Sequence, residues 1–282
     1  MRSVLIELAL AGGKIARQHF QQVGVKDARA KGLRDYVSHV DRLVEDAIVS
    51  RIRSRYPQHA ILGEEAASEL GENAPLLGDG PCWIIDPIDG TSNFIHGIPA
   101  FAISIAFCER GVEPRHAIVY DPMRDEQFIG ERGAGLWINE RRVYSSGNVD
   151  LSSALIATGL PFRVIEPLND ALAVLGDLQR RCEDHRRGGS AALDLAYTAV
   201  GRLDAYWELG IYPWDTAAGE LLVRCGGGVA TDFRGEAGGL HKRRSMVAAA
   251  TPVLHAEMLK AVAPMLPWLE RPPYVGWEAR AT

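Results

Sequence analysis

The segment from Trp83 to Gly97, WIIDPIDGTSNFIHG, constrains this chain more than any other stretch. Trp83, Ile84 and Ile85 form an apolar run suited to a buried strand, and Asp86 and Asp89 follow immediately. Pro87 and Gly90 are turn residues, so the strand is expected to end in a turn that carries both carboxylates. Hard oxygen ligands beside backbone N–H groups suit a divalent cation that holds a phosphate. Asp-Pro and Asp-Gly are also ordinary turn dipeptides, and the motif alone leaves both readings open.

Other carboxylates carry the same ambiguity. Gly63-Glu64-Glu65 closes the short apolar segment Ala60-Ile61-Leu62, either as a second strand end bearing ligands or as a solvated acidic pair. Trp214-Asp215-Thr216 opens a helix, where Asp215 is an N-cap or a further ligand. Ser38-His39-Val40-Asp41 fits a capping box. Ser190 is placed to cap SAALDLAYTAVG, which Gly201 ends, and Glu208 in DAYWELG reads on its own as an exposed strand-end charge.

The order of elements gives a coarse architecture. Two helices open the chain, the second stopping at Tyr56-Pro57, with a polar loop from Gly24 to Tyr36 between them. After a loop over residues 66–81 come strand-like runs, CWIID, AFAISIAFC, HAIVY, QFIG and GLWIN, pointing to an antiparallel-rich sheet packed on the helix pair. Ser145-Ser146-Gly147-Asn148 marks a boundary between an N-terminal half, 1–146, and a C-terminal half, 147–282. In the second half strands and helices alternate: LIATGL, a helix from Leu168 to Cys182, SAALDLAYTAVG, DAYWEL, WDTAAGELLVRC, a strand from Ser245 to Ala250 and a helix from Val253 to Ala263.

Composition serves mainly to exclude. With 31 Lys+Arg against 36 Asp+Glu, a net charge of -5 and no long basic run, the chain has no footprint for nucleic acid or for an anionic membrane. Cys82, Cys108, Cys182 and Cys225 are widely spaced and read as buried reduced thiols. The N-terminal MRSVLIELALAGG continues into an amphipathic helix pattern, not a signal sequence, and the expected location is cytoplasmic. No apolar stretch approaches the roughly 20 residues of a membrane span.

The GEE, WIIDPIDGTSNFIHG and WDTAAGELLVRCGGG blocks stand in the order and approximate spacing of the inositol monophosphatase family of lithium-sensitive, magnesium-dependent sugar phosphatases. The chain resembles that family from its first helix through Pro264, and YPQH, VYDPMR, ATGLPF and RRGGSAALDLAYTAVGRLDAYWELG are most similar to the bacterial SuhB-type members. The resemblance implies an α+β fold layered α/β/α/β/α, with metals between the two halves. It implies that Glu64, Asp86 and the main-chain carbonyl of Ile88 hold one Mg²⁺ and that Asp86, Asp89 and Asp215 hold a second. Glu64 would help a third through water, while Glu65 has no settled ligand role.

By the same resemblance, backbone N–H groups of Gly90 and Thr91 receive the phosphate. The Thr91 hydroxyl, partnered by Asp41, acts with Glu64 to orient and deprotonate the attacking water. Substrate hydroxyls are expected at Glu208, Asp89 and the backbone near Gly189, Ser190 and Ala191. The implied reaction is hydrolysis of myo-inositol monophosphates, with histidinol phosphate, fructose 1,6-bisphosphate and 3′-phosphoadenylate as alternative substrates. A homodimer is implied, as is an additional scaffold role among transcription antitermination proteins. The chain departs from the family in a short loop from Lys26 to Tyr36, where Lys31 fits only approximately, in Ser38, and in Tyr212-Pro213 before Asp215. The tail from Pro267 matches no pattern; its Trp268, Tyr274 and Trp277 are expected to pack on the protein or on a partner subunit.

Overall fold

Every residue of the strand Cys82–Asp89 is buried, which requires neighbours on both edges and cover on both faces. The computed structural model, which describes residues 1–24, 29–32, 35–70, 80–111, 113–162, 164–238 and 244–272, supplies all four. In chain order the first part comprises α1 (Arg2–His19), β1 (Arg29–Gly32), β2 (Asp35–Val37), α2 (His39–Arg55), β3 (Ala60–Gly63), α3 (Glu64–Leu70), β4 (Cys82–Asp89) and α4 (Thr91–Ile95). It continues through β5 (Ala102–Cys108), β6 (Pro114–Asp121), β7 (Glu126–Glu131), β8 (Gly135–Ile138) and β9 (Arg141–Val143). Strands β3 to β9 form one sheet in sequence order, parallel between β3 and β4 and antiparallel thereafter.

The second part comprises β10 (Leu155–Gly159), α5 (Leu168–Gln179), β11 (Asp184–Arg186), α6 (Ala191–Ala199), β12 (Ala205–Leu209), α7 (Pro213–Cys225), β13 (Val229–Thr231), β14 (Ser245–Ala249) and α8 (Pro252–Val262). Its sheet has the order β11-β10-β12-β14-β13. β10 runs parallel to β11 and β12, and β14 runs antiparallel to β12 and β13.

Strand alternation explains the layering. Trp83 and Ile85 of β4 face one way, into a core with Leu5 and Leu8 of α1 and Val44 and Ile48 of α2. Cys82 and Ile84 face the other way, into a core with Leu195 of α6 and Leu222 of α7. That second core also takes Tyr206 and Ala248 from the smaller sheet. The opposite face of the smaller sheet, Trp207 and Val247, packs on Leu178 of α5 and on Leu254 and Met258 of α8. The result is an α/β/α/β/α sandwich in which α6 and α7 form the shared middle layer.

Three expectations change. The segment expected as a loop from Gly24 to Tyr36 contains the β1–β2 hairpin, formed by backbone pairing in a polar stretch without apolar alternation. The stretch expected as a loop from residue 66 begins inside α3, whose N-terminus is closed by Glu45 of α2: the N–H groups of Glu65 and Ala66 donate to its two carboxylate oxygens, each at 3.0 Å. All four cysteines are free, but only Cys82 and Cys108 are buried; Cys182 and Cys225 are partly exposed. Of the tail, Trp268 packs back on the chain and donates to Asp170 at 2.7 Å. Tyr274, Trp277 and the Lys31 side chain lie outside the described residues. No helix among the described residues is long and apolar enough to cross a membrane.

Candidate active site

Two residues three apart on a regular strand point to opposite faces, yet Asp86 and Asp89 converge. The reason is a bulge. Asp86 pairs with Ser104 and Asp89 with Ala102, so three steps on β4 match two on β5 and the strand changes phase. The turn expected at Asp86-Pro87 is therefore a bulged continuation of β4, and the Ile88 N–H closes it by donating to Asp86 Oδ1 at 3.0 Å. Gly90 follows with φ 95°, a left-handed conformation, and a Cβ there would stand 3.1 Å from the Ala100 carbonyl and 3.2 Å from that of Gly189.

Neighbouring elements bring further carboxylates. β3 is parallel to β4 with Gly63 opposite Ile85, so the next residue, Glu64, falls beside Asp86 and is hydrogen-bonded to it. α7 presents Asp215 from its first turn, oriented by the Tyr212 N–H, which donates to Oδ2 at 2.6 Å. Asp86, Asp89 and Asp215 each offer an oxygen within 4.8 Å of the others. Asp89 also accepts from the Ser190 hydroxyl at 2.5 Å and the Ala192 N–H at 2.7 Å, which ties β4 to the start of α6.

Asp41 is a helix cap that also reaches Thr91. Asp41 Oδ2 accepts from the Ser38 N–H at 2.9 Å and the Ser38 hydroxyl at 2.6 Å, a helix cap. Its Oδ1 accepts from the Thr91 hydroxyl at 2.9 Å, and that hydroxyl also lies 3.1 Å from the Ile88 carbonyl. Ser190 likewise caps α6, accepting from the Leu193 N–H at 3.3 Å.

Every residue expected at the site except the fully buried Asp41 lines one cleft of ≈ 330 Å³. Glu208 lines it too, and Tyr206 donates to the Glu208 carboxylate at 2.5 Å. Glu65 does not line it. Sequence reasoning passed over Asn93, Arg187 and Asp194, which do. Asn93 joins the two halves, donating to the carbonyls of Ala100 at 2.6 Å and Gly188 at 2.9 Å. For Asp194 a signal existed: a lone carboxylate inside the apolar helix SAALDLAYTAVG.

The electrostatics define what this cleft can hold. Burial first, then the charges of Glu64, Asp89 and Asp215, holds Asp86 well above the ordinary carboxylate range. Burial pushes Asp89 up to about 7 against the lowering effect of Ser190 and Ala192, and pushes Asp41 up to about 6 against Ser38. Among the described residues, Arg187 is the single Lys or Arg lining the cleft. Crowded carboxylates raising one another's pKa, with oxygen donors converging from three elements, fit a hard divalent cation. Asp86, Asp89 and Asp215 could hold such an ion, and Glu64 and Ile88 line the same cleft.

Known proteins share this chain's sequence and fold. The model of the inositol monophosphatase family matches residues 1–265. The protein called Nus factor SuhB from Pseudomonas aeruginosa is 42% identical over 271 residues, covering 95% of this chain and 97% of that protein. The crystal structure of the extragenic suppressor protein SuhB from Bartonella henselae superposes with a TM-score of 0.82 at 34% identity, covering 93% of this chain and 97% of the other. The inositol monophosphatase of Anabaena superposes with a TM-score of 0.77 at 32% identity, covering 94% and 97%.

Proposed function

The chain belongs to the inositol monophosphatase family, a family of magnesium-dependent phosphatases, and from that premise we propose that it hydrolyses myo-inositol monophosphates to inositol and inorganic phosphate. The observation that carries this reading is the convergence of Asp86, Asp89 and Asp215 beside the Asp41–Thr91 pair, with Glu208 lining the same cleft. Bound Mg²⁺, two to three ions per site in this proposal, supplies positive charge at the phosphate and increased acidity of water.

The chain's own residues do the rest. Backbone N–H groups at Gly90 and Thr91 bind phosphate oxygens. Asp41 fixes the Thr91 hydroxyl, and Thr91 with Glu64 orients a water and takes its proton as the water oxygen bonds to phosphorus. The bond from phosphorus to the inositol oxygen breaks as water attacks in line, that oxygen takes a proton from a water molecule, and because water is the nucleophile no side chain becomes phosphorylated. Glu208 and Asp89 accept hydrogen bonds from inositol hydroxyls, since ionised carboxylates only accept, and Gly189, Ser190 and Ala191 border the ring.

Phosphate release from inositol 1-phosphate, histidinol phosphate, fructose 1,6-bisphosphate and 3′-phosphoadenylate, with Mg²⁺ and with chelator, tests the substrate. Inositol 1-phosphate should be best and chelator should abolish release; if it is the poorest of the four, the substrate assignment is wrong.

The name of the Pseudomonas relative supports a second reading, an additional role among transcription proteins. With a net charge of -5 such a role runs through protein contacts in place of direct RNA binding. An Asp89→Asn variant separates the two: a cellular phenotype that survives loss of hydrolysis indicates a scaffold, and loss of both indicates catalysis. A homodimer belongs to the same proposal and is read by analytical ultracentrifugation.

A further inference from the structure

Tyr212, at the N-cap of α7, serves the candidate metal site through its main chain: its N–H donates to Asp215 Oδ2 at 2.6 Å. Tyrosine is an unusual residue for an N-cap, because its hydroxyl lies too far from its own backbone to serve the first helical N–H groups. The ring is engaged elsewhere. It stacks on Trp214, with centroids 4.7 Å apart and planes within 7°, and the guanidinium carbon of Arg244 lies 3.9 Å from the same centroid.

Arg244 ties this stack to the smaller sheet. It directly precedes β14 and is buried, with 5% of its surface exposed. The Gly210 N–H donates to its carbonyl at 2.7 Å, which carries the pairing of β12 with β14 one step past Leu209 and Ser245. Its guanidinium reaches back to the Gly210 carbonyl at 3.5 Å. Cation–π contacts strengthen as the cation leaves water, so the buried guanidinium holds the Tyr212 ring more firmly than an exposed one would. On the other side the Trp214 carbonyl accepts from the Ser104 hydroxyl of β5 at 3.4 Å. The first turn of α7, which presents Asp215, is thus held to both sheets.

We propose that Arg244 and the ring of Tyr212 are positioning residues for Asp215, setting the affinity of the cleft for a divalent cation without touching the ion. Asp215 comes from a different element than Asp86 and Asp89, yet its oxygen must stay within 4.8 Å of theirs. Fixing the ring of Tyr212 fixes the N–H that orients the Asp215 carboxylate, and groups that orient a ligand from behind tune the metal it holds. A planar guanidinium stacks on an aromatic face, whereas an ammonium is a compact point charge, so lysine is not equivalent to arginine here. The inference rests on the metal reading of the cleft and adds two residues that do not line it.

The test uses the full chain and Mn²⁺, which takes the same oxygen ligands as Mg²⁺ and whose free fraction is read by electron paramagnetic resonance without turnover. Arg244→Met, Arg244→Lys and Tyr212→Leu should each raise the Kd for Mn²⁺ by about tenfold, whereas Tyr212→Phe, which keeps the ring, should stay within about twofold of the wild type. In phosphate release the Mg²⁺ concentration for half-maximal activity should rise by the same factor in the first three variants. KM for inositol 1-phosphate and the rate at saturating Mg²⁺ should stay within about twofold, a split that general loosening of the fold would not give. Arg244→Lys keeps the charge and carries the test should Arg244→Met not fold. Wild-type affinity in both Arg244→Lys and Tyr212→Leu, or equal weakening in Tyr212→Phe and Tyr212→Leu, overturns the proposal. A wild-type chain that binds no Mn²⁺ contradicts the metal reading and this inference with it. Binding without release of phosphate contradicts the phosphatase reading alone, and the Mn²⁺ affinities of the variants then decide the proposal.

Discussion

Asp41 shows how much one carboxylate can carry. One oxygen caps α2 through Ser38 and the other accepts from the Thr91 hydroxyl, so the helix cap also reaches a second segment of the cleft. Asp86, Asp89 and Asp215 were legible because motif spacing and family resemblance named them. Glu45 was not, because it acts across distant segments. Glu45, buried on α2, accepts from Glu65 N–H and Ala66 N–H and thereby fixes the turn that presents Glu64. Glu45→Gln replaces one accepting oxygen with an amide that donates, so one of these bonds is lost. The Mg²⁺ concentration for half-maximal activity should rise by about tenfold in this variant, as for other groups that orient a ligand from behind. An unchanged Mg²⁺ requirement would show that Glu45 only closes α3.

At the level of elements, the register of strands decides which side chains meet. β10 and β12 pair so that Gly159 lies opposite Glu208, and a Cβ at Gly159 would collide with the Glu208 carboxylate at 2.0 Å. Gly159→Ala should therefore displace Glu208 and raise KM for inositol 1-phosphate by about tenfold while the Mg²⁺ requirement stays at the wild-type value. A rise in both would place Glu208 in the metal site. Apolar runs announced the longer strands. The bulge in β4 was hidden, because Pro87 in an acidic stretch reads as a turn, and β9, β11 and β13 are three residues each, too short to show alternation.

For the whole molecule, the sandwich places carboxylates from α3, β4 and α7 in one neighbourhood, and stability becomes linked to pH and metal. Burial pushes Asp41 and Asp89 up to about 6 and about 7, above the values near 3.8 at which they ionise in an unfolded chain. In the metal-free protein they contribute stability that is full below about pH 4 and lost as pH rises through about 6 to 7, because the folded state binds more protons there. Mg²⁺ compensates the ionised forms. The rise in Tm produced by Mg²⁺ should accordingly be larger near pH 8 than near pH 5.5, and equal rises would contradict the linkage. The layering itself was legible only through resemblance, since periodicity locates helices and strands but does not say that α6 and α7 lie between two sheets.

The central claim is that the acidic cleft is a magnesium site that hydrolyses a phosphate monoester. Its most direct measurement is a Mg²⁺ titration of phosphate release from inositol 1-phosphate, run with the wild-type chain and with Asp215→Asn. Expected are no release without metal, saturable activation by Mg²⁺ in the wild type, and loss of most activity in the variant with its Mg²⁺ requirement raised by about tenfold or more. Release that is indifferent to Mg²⁺, or a variant that keeps the wild-type titration curve, would contradict it.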